Sequence, residues 1–290
     1  MRQARTRISP DRSRYSAERI VFVVAAVILV AGTQMPVASY FSPKSGIGYT
    51  FGILGGVMLF VQSLYVLRKR LPSLAFPGSV SAWLHCHILL GIVAPVLILI
   101  HCGFSLGATN SNIALMAMLL VAASGLFGRY FHSKIHRGAD GRRPTLAELQ
   151  RNALEVREHG SKLLTVMDVV DRIDAEERRL LHVATWIGPG IVVAPFIIAA
   201  RYASARRLLC QYARSAINVS AARHKSVATQ RERFEHVAFD YISRRLLATR
   251  EVAEFRVYER LFSVWHAVHV PLFLILVAAG VVHVVSVHVY

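Results

Sequence analysis

The feature that most limits how this chain can fold is a set of long, uninterrupted apolar runs. Five of these runs are long enough to cross the roughly 30 Å hydrocarbon core of a bilayer, which takes about 20 helical residues. Lipid offers the backbone no hydrogen-bond partner, so each run is predicted to be a helix. The predicted spans are residues 18–40, 48–67, 80–104, 112–131 and 264–288. The predicted fold class is therefore all-α: a polytopic transmembrane bundle with five spans and one further, shorter apolar segment.

The composition supports a membrane location and argues against nucleic acid as a partner. Hydrophobic residues make up 54% of the 290 residues and mean hydropathy is +0.44, which is too apolar for an ordinary soluble domain. The formal net charge of +17 would indicate nucleic-acid binding in a soluble protein. Here the Lys and Arg residues lie between the apolar runs, where they report membrane topology. No nucleic-acid-binding motif accompanies them, so we expect membrane lipid as a partner and no nucleic acid.

The shorter apolar segment, residues 186–200, is ambiguous. As a helix its fifteen residues would reach only about 22 Å, and a Gly-Pro-Gly sequence and Pro195 interrupt it. It is re-entrant, interfacial or a short sixth span. If it spanned the membrane, the thirteen Lys and Arg residues of 201–262 would face outward, against the positive-inside rule. We therefore favour five spans.

The basic residues also predict the orientation of the chain. If residues 186–200 do not span, the stretches 132–181 and 201–262 lie in the cytoplasm with the basic N-terminus, and the outer loops keep only Lys44. Residues 1–19 run straight into the first apolar run and are expected to belong to a retained signal anchor. The prediction is a multi-pass protein of the cell's inner (cytoplasmic) membrane, with its N-terminus inside and its C-terminus outside.

Three parts follow along the chain. Residues 1–131 form the basic N-terminus and the first four spans, residues 132–262 form a basic, helical cytoplasmic insert that contains 186–200, and residues 263–290 form the last span. Thr145 and Glu148 make a capping-box start for a helix in the insert. An approximate apolar stripe follows at Leu146, Leu149, Leu154, Leu163, Val166 and Val170. We expect the insert to be a collar against the membrane surface or a partner.

Histidines in the predicted third and last spans point to function. An ionisable side chain is expensive in hydrocarbon and usually has a functional role there. His87 and His101 are fourteen residues apart in the third span, and His269 and His283 are fourteen residues apart in the last. Fourteen steps of 100° leave a pair about 40° out of register and about 21 Å apart along the helix. Each pair therefore shares one helix face, at two levels of the bilayer.

The two histidine helices also share a longer pattern. The sequence Trp-x3-His-x13-His occurs in both, starting at Trp83 in one and at Trp265 in the other. Tryptophan favours the membrane interface, and both helices run outward in the predicted topology, so both tryptophans are expected at the cytoplasmic surface. The first histidines of the two patterns then face each other, and so do the second histidines.

This pairing predicts two b-type haems. Neutral imidazoles on facing helices are good axial ligands for haem iron. We expect His87 and His269 to hold an inner haem, and His101 and His283 to hold an outer one.

The residues around the four histidines agree with this cofactor. Gly91, one turn after the first histidine of its span, and Gly280, just before the last ligand histidine, would let a porphyrin approach the helix backbone. None of the three cysteines lies in a CxxCH sequence, so covalently attached c-type haem is not expected.

Three further histidines in these spans leave room for a related function. His85 points away from the shared face, and His288 lies at the outer end of the last span. His266 is the natural substitute for His269, although it is out of register with His283. Any of the three could supply the polar pocket of a quinone-reactive cytochrome b anchor, which would accept electrons from quinol analogues.

A non-redox alternative is a histidine-based metal or proton transporter. That function expects acidic residues in the spans, which have almost none beyond Glu18 at one edge. His132 and His136 stand one turn apart beyond the fourth span but lack a third metal ligand. We expect them to be interfacial residues, or partners of haem propionates together with Arg129. Interhelical hydrogen bonding would give the buried histidines a purely structural role, but it does not explain two matched pairs.

With these four histidines in place, the sequence resembles the transmembrane domain of the ferric reductase and NADPH oxidase superfamily. In that family a six-helix bundle holds two b haems by paired histidines on its third and fifth helices. The third and last predicted spans here, with His87, His101, His269 and His283, are similar to that arrangement. The resemblance covers the membrane part, without a sixth span after the last ligand helix.

The resemblance implies transmembrane electron transfer. Enzymes of the family continue into FAD- and NAD(P)-binding domains, whereas no GxGxxG loop, Walker sequence or flavin-binding segment is recognisable here. We therefore expect the electron-transfer membrane subunit of an oxidoreductase, a membrane cytochrome b. A separate electron-donor protein would load it, and a protein or a quinone would accept the electrons.

Overall fold

The structure, a computed structural model, describes residues 12–71, 77–135 and 169–289, with a few residues between 147 and 154. Every regular element in these residues is helical, as the sequence predicts. In chain order the helices are α1 Arg12–Gln34, α2 Val37–Tyr40, α3 Gly46–Arg70, α4 Val80–His101, α5 Thr109–Ile135, α6 Val169–Val183, α7 Ala194–Arg223, α8 Lys225–Thr229 and α9 Arg231–Val289. A short 3₁₀ turn, Pro189–Val192, precedes α7.

The chain folds as two compact units. The first unit comprises Met1–Arg129 and Trp265–Tyr290, and the second comprises Tyr130–Val264. The boundaries expected from the sequence, after residues 131 and 262, lie within two residues of these division points. The 59-residue helix α9 contributes its first part to the second unit and its apolar last part to the first.

The first unit carries the apolar helices. Among the described residues, four helices are long and apolar enough to cross a membrane: Gly46–Arg70, Val80–His101, Thr109–Ile135 and Arg231–Val289. A shorter apolar helix, Ile20–Gln34, falls in the first predicted span. At most 22% of the most apolar window in any of the four is buried by protein, so lipid must cover the rest. The chain is therefore a multi-pass membrane protein, and the count of five spans stays a prediction.

Small residues let the apolar helices pack closely, as is usual between helices in membranes. A Cβ atom at Gly55 of α3 would lie 2.6 Å from the Ile98 side chain and 3.3 Å from the Ala94 carbonyl oxygen of α4. On α5 and α9 a small apolar core forms, whose buried residues are Ala117, Met118, Val121 and Leu276. These contacts fix the faces on which the histidines of α4 and α9 lie.

Helix α4 ends at His101, three residues before the predicted end of its span. Cys102 caps the helix, and Gly103 and Phe104 then adopt φ angles of 63° and 55°. This left-handed backbone stops the helical hydrogen-bonding pattern. His101 is consequently the last residue of its helix.

The second unit has its own apolar core. The amphipathic helix α6 buries Val169, Ile173, Leu180 and Val183. These side chains belong to one cluster with buried residues of α7 and of the first part of α9, namely Ala205, Leu209, Ala213, Ile217, Ile242, Leu246, Ala253 and Val257. The insert is therefore helical where it is described. Thr145 of the predicted capping box lies outside the described residues, and so do Leu146, Leu149, Leu163, Val166 and His136.

A buried arginine fastens α6 to α9 in the second unit. The Arg245 side chain is only 1% exposed. Its guanidinium donates to a carboxylate oxygen of Asp174, to both carboxylate oxygens of Glu177 at 2.9 Å, and to the Tyr241 hydroxyl at 3.2 Å. Two carboxylates thus neutralise a cation that would otherwise be costly to bury.

The ambiguous segment 186–200 forms the 3₁₀ turn and the first turns of α7. The helix that contains its second half, Ala194–Arg223, is not among the described helices that are long and apolar enough to span a membrane. The turn begins after Gly188, whose φ of +80° favours glycine.

Candidate functional site

Both predicted ligand histidines of α4 are oriented by main-chain carbonyls of α3. His87 Nδ1 lies 3.0 Å from the Gln62 carbonyl oxygen, and His101 Nδ1 lies 2.9 Å from the Gly48 carbonyl oxygen. A carbonyl oxygen can only accept, so Nδ1 of each ring carries the proton and donates it. Nε2 of each imidazole is then left with its lone pair, which is the state a metal ligand needs.

Both predicted ligand histidines of α9 are oriented by serines of α5. His269 Nδ1 lies 2.6 Å from Ser124 Oγ, and His283 Nδ1 lies 3.1 Å from Ser111 Oγ. The Ser124 hydroxyl also donates to the Val121 carbonyl oxygen at 2.9 Å. Because that bond uses the only hydroxyl proton, Ser124 Oγ accepts from His269 Nδ1–H. His269 therefore has the same tautomer as His87 and His101.

The orienting groups repeat with the spacing of the histidines. Gln62 and Gly48 are fourteen residues apart on α3, and Ser124 and Ser111 are thirteen residues apart on α5. In both helix pairs the order is reversed, as antiparallel neighbours require. Each histidine helix is thus held, at two levels, by the helix that packs against it.

Histidines of α4 and α9 lie near one another at two levels. His87 and His269 line the same cleft and interact electrostatically. His101 and His283 also interact electrostatically. We call His87 and His269 the first tier, and His101 and His283 the second tier.

The cleft of the first tier lies within the first unit and is mostly apolar. Its lining includes Leu59, Val66, Ile88, Ile92, Pro95, Met118, Val121, Leu126, Val270, Phe273 and Leu276. Three polar side chains besides the histidines, Gln62, Ser63 and Arg129, line it as well. An apolar cleft with a few placed polar groups is the usual form of a cofactor site.

Gln62 is the most telling of these polar groups. Its side chain is buried, and its Oε1 has no hydrogen-bond partner within the described part of the chain. An unpaired amide oxygen in such a place costs about 1–3 kcal/mol. The buried amide therefore has the position of a group that contacts a ligand in the cleft.

Glycines leave space beside both tiers. Gly91 and Gly125 line the cleft, and no neighbouring described atom lies within 4 Å of a Cβ placed at Gly125. At Gly91 the nearest atom to such a Cβ is Gln62 Oε1, at 3.2 Å. Gly280 is likewise open, three residues before His283. A flat group would find room against the backbone at these positions.

Gly52, in contrast to these open glycines, lies against the ring of His101. A Cβ atom at this position would lie 2.7 Å from the His101 ring. The imidazole of the second tier thus packs directly on the backbone of α3. Any side chain at position 52 would push the ring out of place.

Aromatic rings flank the first tier. The Trp265 indole stacks on the His269 imidazole with ring centroids 4.7 Å apart, and Trp265 Nε1 donates to the Ser124 carbonyl oxygen at 2.7 Å. Tyr65 lies beside His87 with ring centroids 5.1 Å apart. Trp83, which matches Trp265 in the sequence pattern, donates its Nε1–H to the Pro77 carbonyl oxygen at 2.8 Å. The shared pattern thus has different contacts in the two helices.

The other histidines of these helices have different surroundings. His85 Nδ1 bonds to the Ser81 carbonyl oxygen of its own helix at 2.6 Å. His266 stands edge-on to Trp265, with ring centroids 4.6 Å apart. His288 uses both nitrogens, Nδ1 with the Val284 carbonyl at 2.8 Å and Nε2 with the Tyr49 hydroxyl at 3.3 Å.

Histidines of the second unit have no place in the tiers. The His132 ring lies 6.2 Å from the Phe262 ring, within the second unit. Across the described residues, no group of three or more His, Cys, Asp or Glu side chains is arranged to hold a metal ion. The described part of the chain thus offers histidine pairs and no three-ligand cluster.

The sequence pattern identified the four histidines but not the groups that orient them. Ser111 and Ser124, Gln62 and Tyr65 were missed. The serines carried a signal, since they are the polar positions of α5 whose thirteen-residue spacing nearly equals that of the histidines. The orienting main-chain carbonyls of α3 gave no signal in the sequence, because every residue has a main-chain carbonyl.

No protein-family model, no curated protein and no solved structure matches this chain. Its class is defined by its own residues, as a helical, multi-pass membrane protein. Within that class the chain is distinguished by its two tiers of histidines. Each of the four imidazoles is oriented by a hydrogen bond at Nδ1.

Proposed function

We propose that this protein carries electrons across a membrane through two b-type haems, each ligated by one histidine of α4 and one of α9. It would be the membrane cytochrome b subunit of an oxidoreductase system in the inner membrane, loaded by a separate electron-donor protein. One observation carries the proposal: all four paired histidines engage Nδ1 in a hydrogen bond from the neighbouring helix. Metal-ligating histidines almost always have such a partner on the second ring nitrogen.

The residues of the first tier fit a haem. His87 and His269 present Nε2 lone pairs from facing helices, which suits an iron with two axial ligands. The cleft between them is apolar, has open space at Gly125 and contains the unpaired amide of Gln62. The positive charge of Arg129 at the same cleft suits the propionates. Bound haem would supply an iron that gains and loses one electron.

The chain's own residues have three tasks in this function. The carbonyls of Gln62 and Gly48 and the hydroxyls of Ser124 and Ser111 orient the four imidazoles, and the two carbonyls and Ser124 also fix the tautomer of their histidines, which raises the basicity of these ligands. The apolar lining excludes water and so sets the reduction potential of the site. The Trp265 indole holds the His269 ring from one face.

The separation of the tiers suits transfer across a bilayer. Fourteen helical residues correspond to about 21 Å, so each tier lies toward a different membrane surface. The Arg68, Lys69 and Arg70 cluster ends α3 a short distance after Gln62, which supports a cytoplasmic position for the first tier. A membrane potential would add about 2.3 kcal/mol per charge per 100 mV to the transfer.

A second candidate is a quinone-reactive cytochrome b anchor. Tyr49 and His288 form a hydrogen-bonded pair from α3 and α9, and His288 interacts electrostatically with His283 of the second tier. A phenol and an imidazole beside a haem could bind quinone oxygens. Reduction of the haems by a quinol analogue, lost in Tyr49→Phe, supports this candidate over electron delivery by a protein alone.

Absorption spectroscopy of purified protein tests the proposal. Dithionite-reduced minus oxidised spectra and a pyridine haemochrome assay are compared for the wild type and the four single His→Ala variants. We expect two haems in the wild type, loss of one in His87→Ala and His269→Ala, and loss of the other in His101→Ala and His283→Ala.

The matched control is His85→Ala, which removes a histidine of α4 outside the cleft and should leave both haems. A wild type without haem absorption, or four ligand variants with unchanged spectra, would refute the proposal.

A further inference from the structure

The segment between α6 and α7, together with the first turn of α7, exposes four large apolar side chains. The exposed fractions are 87% for Ile187, 62% for Val192, 49% for Val193 and 76% for Phe196. We call these four residues the apolar tip. Ile191 and Ala194 lie among them in the sequence, Ile198 follows two residues after Phe196, and all three are buried in the core of the second unit.

The apolar tip is held in this form by the fold of the second unit. Gly188 turns the chain into the 3₁₀ turn with a φ of +80°. Arg260 Nη1 donates to the carbonyl oxygens of Ala184 and Trp186, at 3.2 and 2.9 Å. The buried neighbours and the hydrogen bonds from Arg260 therefore hold four large apolar side chains at the protein surface. Such exposure is unfavourable on a surface that only water covers.

The charges around the apolar tip indicate what covers it. Residues 178–231 contain nine Lys and Arg residues and no Asp or Glu, and three of the nine, Arg179, Arg214 and Arg231, are ion-paired with glutamates outside this range. Arg201 and Arg207 are exposed on α7 after the tip. Phe196 and Arg207 are eleven residues apart, so they share a helix face within about 20°. Exposed apolar side chains followed by arginines suit an anionic lipid surface, where the apolar groups enter the acyl boundary and the arginines contact headgroups.

The position of Arg260 agrees with a lipid partner. It lies five residues before Trp265, in the helix whose apolar last part is long enough to span the membrane. Five helical residues correspond to about 7.5 Å. The residue that caps the tip loop is therefore close along the chain to the predicted cytoplasmic surface of the bilayer.

We infer that the apolar tip is an interfacial membrane anchor, in which Ile187, Val192, Val193 and Phe196 insert into the headgroup region of an anionic leaflet. The tip thus attaches the second unit to a membrane surface. The segment neither spans nor re-enters the membrane deeply, because Ile191, Ala194 and Ile198 remain in the protein core. This anchor does not depend on haem.

Depth-dependent quenching in lipid nanodiscs tests the anchor. The full chain, with its three native cysteines replaced by alanine, receives one cysteine at Phe196 (F196C) and an NBD fluorophore. The matched control is V219C, which lies on the same helix α7 and replaces a side chain that is 55% exposed. The nanodiscs contain phosphatidylcholine with 30% phosphatidylglycerol, and the quenchers are acyl-chain nitroxide lipids and aqueous iodide.

We expect at least threefold stronger quenching by nitroxide lipid at position 196 than at 219, and at least threefold weaker quenching by iodide. In pure phosphatidylcholine the nitroxide quenching at position 196 should fall. Iodide quenching at 196 equal to that at 219 would overturn the anchor. Protection from both quenchers would also overturn it, since a second copy or another protein segment would then cover the tip. The haem content of each sample is measured separately. The quenching result can therefore be interpreted even if the protein binds no haem.

Discussion

Ser124 and His269 are joined by a 2.6 Å hydrogen bond in which the serine oxygen accepts, because its own proton is donated to the Val121 carbonyl oxygen. The same serine offers its carbonyl oxygen to Trp265 Nε1, and Trp265 stacks on the His269 ring. One residue of α5 thus controls both the tautomer of the imidazole and the ring that packs on it.

Ser124→Ala should weaken haem binding at the first tier about 10–100-fold, the usual cost of losing the partner of a ligand histidine. The imidazole would then be free to rotate and to carry its proton on Nε2. The measurement is haem content after purification at limiting haem, together with a haem-transfer titration to a competing acceptor protein.

Two variants control for this change. Ser124→Thr keeps the hydroxyl and should retain haem. Ser63→Ala removes a hydroxyl that lines the same cleft but bonds to the Phe60 carbonyl of its own helix, and it should also retain haem. Equal haem loss in Ser63→Ala and Ser124→Ala would contradict an orienting role for Ser124.

Gly52→Ala should remove the haem of the second tier and leave the first. The new Cβ would lie 2.7 Å from the His101 ring, so the imidazole must move. The control is Gly56→Ala, one turn further along α3, where no described neighbour lies within 4 Å of the added atom. Low-temperature spectra that separate two haem bands would show loss of one band in the first variant only. Two intact bands in Gly52→Ala would count against ligation by His101.

Gln62→Leu should separate the stability of the empty chain from its affinity for haem. Removing the buried, unpaired amide oxygen should raise the free energy of unfolding of haem-free protein by about 1 kcal/mol. The same substitution should lower haem occupancy at the first tier if the amide contacts the cofactor.

Unfolding by SDS titration and the haem content are measured on the same preparations. Gln211→Leu, at an exposed position of α7, serves as the control and should change neither quantity. A Gln62→Leu protein with lower stability and full haem occupancy would show that the amide has a structural partner.

Arg245→Met should destabilise the second unit by about 3–5 kcal/mol, because it leaves Asp174 and Glu177 without their buried partner. The neighbouring Arg244→Met removes an exposed i,i+4 pair with Asp240 and should cost about 0.5 kcal/mol or less. Thermal unfolding of the two variants, followed by circular dichroism, measures the difference. Similar melting temperatures for the two would contradict the role given to Arg245.

The pKa of Arg245 predicts how the stability that this arginine contributes depends on pH. Burial disfavours its charge, but the hydrogen bonds and negative charge of Glu177 outweigh burial and raise the pKa above the ordinary value. A raised pKa adds stability that is lost only as pH rises through the folded value. The arginine should therefore add no pH dependence to unfolding between about pH 5 and 9.

The sequence predicted the helical class and the placement of most helices because apolar length alone decides them. It also placed the four histidines on two helix faces, since fourteen residues return nearly to the same side of a helix. The prediction that they form two pairs required both helices to run in the same direction across the membrane. The distribution of Lys and Arg residues supplied that direction. The predicted end of the third span was three residues too long, because hydropathy does not report the left-handed backbone at Gly103 and Phe104.

The rest of the site depends on tertiary contacts that a periodic pattern cannot contain. Trp83 and Trp265 occupy matching positions, yet their indoles donate to carbonyl oxygens in different surroundings. Trp265 stacks on His269, because Ser124 and the small residue Gly128 on α5 bond to it and make room for it. Residues 186–200 were ambiguous for the same reason. Their alternation of buried and exposed side chains depends on α7 packing in the second unit, which hydropathy does not show.

The two halves of the histidine site differ in how a random substitution can damage them. His87 and His101 are oriented by peptide carbonyls, which no change of side chain deletes. His269 and His283 are oriented by hydroxyl groups that a single base change can abolish. In a saturation screen for respiratory or reductase phenotypes, single substitutions that delete an orienting hydrogen bond should therefore be found on α5 and not on α3.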